Sequence, residues 1–173
     1  MKIKHLILGG ITFLLGATVV GTAIAQQLTN EQKTVICNLK TQVEQQKAKG
    51  NKLVFIPLLG KVRNQVETPF RAILHPNVDY IFIGVCDENC QDLNLVLKDL
   101  NGQVMTFSKN PEGLPIIAFT PTSEGEYQII ASPGNCSITE GCNFGMGIFA
   151  PLSATIPNAS KIPSKLAQFQ VCQ

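Results

Sequence analysis

The sequence predicts a mainly β protein, a jelly-roll-like β-sandwich with one N-terminal α-helix. From about residue 53 to residue 150, apolar residues recur with the period of two that is typical of strands. Proline- and glycine-containing turns separate these runs at intervals that are typical of a sandwich. No segment of this range alternates a strand with a long helix, which argues against a Rossmann-type sheet.

Residues 1–25 have the pattern of a signal peptide. Lys2 and Lys4 precede a long apolar run, and the run ends in Ala23-Ile24-Ala25, a typical cleavage site. We expect cleavage after Ala25 and a secreted or periplasmic protein that has no membrane span once the leader is removed. The alternative is an uncleaved membrane anchor, because the apolar run is nearly long enough to cross a bilayer.

A helix is predicted within residues 26–51. Thr29 and Gln32 have capping-box spacing, and Gly50 lies where a glycine commonly ends a helix. The apolar positions form one narrow stripe at helical spacing: Val35, Ile36, Leu39 and Val43. We therefore expect the helix to pack on a sandwich formed by residues 52–150, with residues 151–173 as an extension that closes on the domain.

Nine strands and one further segment follow from the alternation of apolar and polar residues. Asn101-Gly102 is a strong hairpin signal between two of the strands. Residues 165–172 are expected to form a last strand or an extended lid. The predicted strands cover residues 53–57, 61–67, 69–74, 80–86, 92–99, 103–109, 115–121, 126–132 and 142–150.

The six cysteines predict three disulfides, because an even number of cysteines in an exported chain usually pairs. Sequence alone leaves the pairing open, although proximity suggests Cys86–Cys90 and Cys136–Cys142, with Cys37–Cys172 tying the two ends together. A zinc site is the alternative, but the spacings fit zinc ligand pairs poorly. A redox site of the thioredoxin type would need a C-x-x-C motif, which is absent from the sequence.

The stretch VCDENCQDLNL (residues 85–95) carries the strongest candidate for a metal site. Carboxylate and amide oxygens brought together in a loop are the ligands that calcium prefers. The other interpretation, which we favour, is a solvated acidic turn that binds no ion. We therefore expect no cofactor, unless the turn binds calcium. The residues that could supply oxygens to one ion are Asp87, Glu88, Asn89, Asp92 and Asn94.

The charge balance argues against nucleic acid as a partner. Without residues 1–25 the chain has 12 basic and 12 acidic residues, so no net charge attracts it to phosphate. The charges are uneven, with eight basic and three acidic residues in 26–75 and two basic and nine acidic residues in 76–140. Either the two halves neutralise each other or the acidic half forms a cation-binding cluster.

The catalytic motifs of common enzymes are missing. His75 is the one histidine left after the predicted cleavage, and no G-x-S-x-G accompanies it. Many acids are available, but no spacing singles out a glycosidase pair, and the absence of tryptophan argues against sugar binding. Gly145-x-Gly147-x-x-Ala150 matches a dinucleotide motif, but Pro151 follows at once, so we expect a flat strand face for close packing.

Three stretches follow one another along the chain: DLNLVLKDLNGQV, PIIAFTPTSEGEYQIIAS and CNFGMGIFA. Over about residues 78–150, the order of these elements resembles that of the bacterial pre-peptidase C-terminal domain. The chain also resembles uncharacterised exported bacterial proteins with a C-D-x-x-C-x-D-L-x-L stretch. The resemblance implies a jelly-roll-like sandwich with a non-catalytic binding or accessory role, sometimes with calcium. Asn94 stands where the family pattern has a second acid, which weakens a calcium site there.

The resemblance also suggests local roles for two features. Cys86 would end a central strand, and Cys90 would staple the turn that follows. Tyr127 would be either a corner tyrosine bonded to the backbone or a plain core residue. We therefore predict a secreted or periplasmic, disulfide-stabilised, non-enzymatic binding or structural module, with an unknown protein or cell-envelope partner. A calcium-dependent module and an accessory protein of a secreted hydrolase are the alternatives.

Overall fold

The computed structural model describes residues 28–64, 66–108, 114–157 and 166–172. The predicted signal peptide lies outside them. In the described ranges, no helix has the length and apolarity needed to cross a bilayer. The elements are a helix, nine strands and a short 3-10 helix (Ala167–Val171): α1 (Asn30–Ala48), β1 (Asn51–Leu53), β2 (Leu58–Val62), β3 (Thr68–Leu74), β4 (Tyr80–Cys86), β5 (Cys90–Asp99), β6 (Val104–Ser108), β7 (Ile116–Phe119), β8 (Gly125–Cys136) and β9 (Cys142–Pro151).

The strands form two antiparallel sheets. One has the order β1-β9-β4-β7, with β2 also paired to β9, and the other has the order β3-β8-β5-β6. Alternate residues of both sheets point into one shared hydrophobic core, including Phe82 and Phe144 from the first sheet and Leu95 and Ile129 from the second. The predicted fold class, a β-sandwich with one N-terminal helix, is confirmed.

The ends of α1 follow the signals in the sequence. The Thr29 hydroxyl accepts a hydrogen bond from the backbone N–H of Gln32, and the Gln32 side chain accepts one from the backbone N–H of Thr29. This capping box satisfies two N–H groups that the helix itself leaves without a partner. Gly50 ends the helical region with a φ of 81°, a left-handed conformation that glycine adopts readily.

The two glycines of β9 leave room for close packing on the outer face of the first sheet, where α1 lies. A Cβ on Gly145 would lie 3.0 Å from Val35 Cγ1 and 3.3 Å from Leu39 Cδ2. A Cβ on Gly147 would lie 3.4 Å from Leu39 Cδ1. Val35 and Leu39 form a small buried cluster there with Val85. Gly145 therefore makes room for the helix, whereas Gly147 makes room mainly for the ring of Phe149, whose Cε2 would lie 2.8 Å from an added Cβ.

The strand predicted at residues 53–57 is wrong. Leu53 pairs with Phe149 and Leu58 pairs with Met146, so the chain takes five steps where β9 takes three. The Val54 N–H still donates to the Ile148 carbonyl oxygen of β9 at 2.9 Å, so residues 55–57 bulge away from the sheet, and Pro57 has no N–H with which to continue the ladder. The strand predicted at 61–67 is displaced for the same reason, because the pairing with β9 places β2 at Leu58–Val62.

The last segment is also different from the predicted strand. In its described part, residues 167–171 form a 3-10 helix. Phe169 packs on the Val35–Leu39–Val85 cluster, and Cys172 is bonded to Cys37 of α1. Two residues three positions apart face the same side in a 3-10 helix and opposite sides in a strand. Contact of both residues with α1 therefore favours the helical turn.

The cysteines pair as proximity in the sequence suggested. The disulfides are Cys37–Cys172, Cys86–Cys90 and Cys136–Cys142, with Cα–Cα distances of 5.4, 5.9 and 5.7 Å. Two of them close short turns at the ends of strands. The first joins α1 to the end of the described chain, and Lys40 Nζ supports it by donating to the Cys172 carbonyl oxygen at 3.2 Å.

Candidate functional site

The carboxylate of Asp87 is a buried structural group in the turn between β4 and β5. Its side chain is only 3% exposed. Oδ2 accepts hydrogen bonds from the backbone N–H and the side-chain amide of Asn143, both at 2.8 Å, and Oδ1 accepts one from the backbone N–H of Asn89 at 3.1 Å. Asp87 therefore fastens the β4–β5 turn to the start of β9.

The other predicted calcium ligands do not converge on Asp87. Glu88 is exposed at the turn, whereas Asp92 and Asn94 lie on β5, in alternation with the buried Leu93 and Leu95. In the part of the chain that the structure describes, no three His, Cys, Asp or Glu side chains are close enough together to hold a metal ion. Calcium binding at this turn stays a prediction, with Asp87 already satisfied by protein donors.

His75 is paired with a carboxylate at the end of β3. Its Nδ1 lies 2.8 Å from Glu124 Oε2, and its backbone N–H donates to the Tyr80 hydroxyl at 3.1 Å. Among the described residues, neither ring nitrogen is hydrogen-bonded to a serine, threonine or cysteine. The two contacts of His75 thus join the end of β3 to the connection before β8 and to the start of β4.

Tyr80, not Tyr127, is the tyrosine that bonds back to the backbone. Its ring is fully buried, and burial raises the pKa of the Tyr80 hydroxyl above the ordinary tyrosine value. Tyr127 is a core residue whose ring packs edge-on against Phe119, with centroids 5.3 Å apart. Of the two roles that the sequence left open for Tyr127, the structure shows the plain core tyrosine.

An apolar cleft opens between the bulged segment 55–57 and β3. Its volume is about 610 Å³. The floor is the sandwich core itself, and the exposed lip carries Ile56 and Ile73, which are 61% and 55% exposed. The buried residues that line the floor are Val54, Ala72, Ile129, Ile148 and Ile156.

The far wall of the cleft is the loop after β9, which carries Ile156 and Pro157. Lys52 Nζ holds this loop by donating to the carbonyl oxygens of Leu152 at 3.0 Å and Ala154 at 2.6 Å. Because the wall is tied by two charge-assisted hydrogen bonds, the cleft is a built feature of the fold.

An exposed ion pair and a histidine–carboxylate contact stand at the rim of the cleft. Arg71 Nη1 lies 3.3 Å from Glu126 Oε1, and His75 faces Glu124 as described. Exposed pairs of this kind contribute at most about 1 kcal/mol to stability. The rim is therefore polar and easily rearranged, in contrast to the apolar floor.

A second groove of about 600 Å³ lies between the first turns of α1 and β2. Its apolar lining includes Leu59 and Ile138, and its charged residues are Glu31, Lys61 and Glu140. This groove rests on the outer face of the first sheet, whereas the cleft beside β3 enters the core. The cleft is accordingly the stronger candidate for a ligand site.

Sequence reasoning missed the cleft because it treated residues 53–57 as an ordinary strand. The signal that could have found it is local. Ile56 is a large apolar residue directly before Pro57, and a proline cannot take part in a ladder as a donor. The opening, however, depends on how β1 and β2, the strands before and after the bulge, pair with β9. No local sequence pattern reveals this pairing.

Comparisons with known proteins found similarity to solved structures. No family model matches the chain, and no curated protein matches it significantly. Among solved structures, the pre-peptidase C-terminal domain of a collagenase from Bacillus anthracis is similar, with a TM-score of 0.41 and 10% identity, over 54% of this chain and 87% of that one. That domain belongs to the family that the sequence resembles, and a likeness this distant carries no functional information.

Proposed function

We propose that this protein is an exported, non-catalytic binding module that takes an aliphatic group into the cleft beside β3. The observation that carries the proposal is the cleft itself, an opening of about 610 Å³ that leads into the sandwich core. Ligand pockets commonly have volumes of roughly 300–1,000 Å³ and mostly apolar linings. Export is supported by the three disulfides, because such bonds persist in oxidising compartments.

The lining favours aliphatic chemistry. Branched aliphatic side chains predominate, and Phe55 and the imidazole of His75 are the aromatic rings among the described lining residues. Sugars and nucleobases are usually held by stacking on aromatic faces, and the chain has no tryptophan and two tyrosines, neither of which lines the cleft. Burial of each methylene would contribute about 0.8 kcal/mol, so a short chain suffices for measurable binding.

A non-catalytic role is supported by the residues near the cleft. Its polar residues are Arg71, His75 and Glu124, and the histidine faces a carboxylate. Nucleophilic catalysis needs a nucleophile within hydrogen-bond reach of its base. The described residues around the cleft offer no such pair, which favours binding over chemistry.

The test is a titration of the oxidised, isotope-labelled protein with 1-decanol, followed by NMR chemical shifts. We expect saturable shifts at the amides of Ala72, Ile129 and Ile148. The variant Ile56→Glu places a charge at the lip and is expected to weaken binding at least tenfold, which is about 1.4 kcal/mol. Because Ile56 is already 61% exposed, the fold should tolerate the change.

Leu100→Glu is the matched control. Leu100 is 60% exposed and lies in the β5–β6 hairpin, at the opposite edge of the second sheet from β3. Equal weakening by both variants, or shifts that map to the groove between α1 and β2, would overturn the proposal.

A further inference from the structure

We propose that four cysteines at one end of the sandwich form a disulfide relay with two states. In the oxidised state the bonds are Cys86–Cys90 and Cys136–Cys142. In the second state, which a dithiol reductant produces, one bond joins Cys90 to Cys136 across two strands. Cys86 and Cys142 then carry free thiols. The inference is independent of the cleft beside β3 and goes beyond the proposed function.

The ladder between β5 and β8 brings the two disulfides together. Cys90, at the start of β5, is the direct antiparallel partner of Cys136, at the end of β8. Directly opposite residues of two strands point to the same face of the sheet. All four cysteine side chains of the two bonds pack on the sandwich core. Cysteines that are bonded locally therefore also face each other across the second sheet.

The backbone hydrogen bonds show that Cys90 and Cys136 are a non-hydrogen-bonded pair. The Ser137 N–H donates to the Asn89 carbonyl oxygen at 2.8 Å, one position outside the pair on each strand. The Cys136 N–H donates instead to Asn64 Oδ1. In such pairs the Cα atoms are about 4.5 Å apart, which lies within the roughly 4.4–6.8 Å that disulfides span. A bond between Cys90 and Cys136 therefore needs little movement of the backbone.

Exposure determines where a reductant enters the relay. Cys136 and Cys142 are 5% and 0% exposed, whereas Cys86 and Cys90 are only partly buried. Thiol–disulfide exchange depends on access to the sulfur that is attacked. An external dithiol therefore attacks the Cys86–Cys90 bond, and the buried bond is reduced through Cys90.

The exchange steps balance with the dithiol as the only co-reactant. One thiolate of the dithiol attacks Cys86 Sγ and releases the Cys90 thiolate. The second thiol then closes the disulfide of the reductant and leaves Cys86 as a thiol. The Cys90 thiolate attacks Cys136 Sγ, and the departing Cys142 thiolate takes up a proton. The reductant has lost two electrons and two protons, and the protein retains one disulfide in place of two.

The cross-strand bond is favoured because it closes a longer loop. Cys136 and Cys142 are six positions apart, whereas the strands β6 and β7 lie between Cys90 and Cys136 in the sequence. In the chain-entropy model a longer loop restricts the unfolded chain more. When only one bond can form, Cys90–Cys136 therefore stabilises the fold more than either local bond.

The second state also removes the covalent closure of a loop. Residues 137–141 lie between the cysteines of the Cys136–Cys142 bond. Ile138 and Glu140 of this loop line the groove between α1 and β2. The relay thus couples reduction of the protein to mobility in one wall of that groove.

The first test is limited reduction of the full oxidised protein with dithiothreitol under native conditions. Free thiols are alkylated, and the peptides are mapped by mass spectrometry without further reduction. We expect a linked peptide pair that contains Cys90 and Cys136, with Cys86 and Cys142 alkylated. If Cys86 and Cys90 are alkylated together while Cys136–Cys142 stays intact, the relay is wrong.

Two double variants test the geometry without a reductant. Cys86→Ser with Cys142→Ser leaves Cys90 and Cys136, which we expect to bond in oxidised glutathione. The matched control, Cys90→Ser with Cys136→Ser, leaves Cys86 and Cys142. It should keep both thiols, because the ladder partner of Cys86 is Phe144. Two free thiols in the first variant, or equal bonding in both variants, would overturn the proposal.

Amide hydrogen exchange tests the released loop. The Gly141 N–H donates to the Ile138 carbonyl oxygen within the loop at 3.2 Å. In the bonded variant with Cys86→Ser and Cys142→Ser, we expect Gly141 to exchange at least tenfold faster than in the oxidised wild-type protein. Unchanged exchange would overturn the coupling of the relay to the groove.

Discussion

At the scale of single residues, Asp87 shows how one carboxylate can join two chain segments, the β4–β5 turn and the start of β9. Its two oxygens accept from Asn89 and Asn143, and its own N–H donates to the Asn143 carbonyl at 3.0 Å. We expect Asp87→Asn to lower the free energy of unfolding by about 1–3 kcal/mol, because the amide presents a donor to other donors. Urea unfolding measures this. Glu88→Gln, at the exposed neighbour, should change stability by less than about 0.5 kcal/mol.

The same residue decides the calcium hypothesis. Since the Asp87 oxygens are occupied by N–H groups, we expect thermal melts in excess calcium and in chelator to coincide. A site held at about a hundred times its dissociation constant would add about 2.7 kcal/mol of stability. A stabilisation of that size, lost on replacing Asp87 and Asp92 with asparagine, would instead establish a calcium-dependent module.

Tyr80 is expected to lower the stability of the fold at alkaline pH. Burial raises its pKa in the folded protein above the value in the unfolded chain. The unfolded chain therefore loses this proton first, and stability should be full at neutral pH and fall as the pH rises past the ordinary tyrosine range. Phenolate absorbance should show a late-ionising tyrosine that disappears in Tyr80→Phe. Ionisation of this phenol in the ordinary range would contradict the prediction.

At the scale of elements, the contact between α1 and β9 depends on glycine. The added Cβ of Gly145→Val would lie close to Val35, Leu39 and Leu59, and its two methyl groups need still more space. We expect a loss of about 1–3 kcal/mol through overpacking and faster proteolysis within α1, both measurable on the purified variant. Gly125→Val is the control, because its nearest neighbour, Tyr127 Cε2, lies at an ordinary 3.6 Å. Equal losses would show that the helix does not depend on the glycine.

At the scale of the whole molecule, the Cys37–Cys172 bond joins the two ends of the described chain. It spans a sequence separation of 135, whereas Cys86–Cys90 spans four. In the chain-entropy model the long loop restricts the unfolded state far more. We expect the double substitution of Cys37 and Cys172 by alanine to cost about 2–5 kcal/mol, and more than the same change at Cys86 and Cys90, in urea unfolding. The reverse order would contradict this model.

The sequence by itself determined the fold class, both ends of α1 and the role of Gly145 and Gly147. These features depend on residue periodicity, on a capping box and on the absence of a side chain, all of which are local properties of the chain. The cysteine pairs also followed from proximity, because two of them close short turns. Tyr127 could be narrowed only to two roles, since its packing partner Phe119 belongs to another strand.

Only the tertiary structure decided the bulge at 55–57, the 3-10 helix at residues 167–171, the satisfied state of Asp87 and the cleft beside β3. Each depends on a partner far away in sequence. The bulge follows from the register with β9, and the 3-10 helix follows from the contact of Phe169 with α1. Asp87 is satisfied by the amides of Asn143, and the cleft forms where β3 faces a segment displaced from the first sheet. Such long-range pairings leave little local signature, because the same apolar pattern would serve a continuous strand equally well.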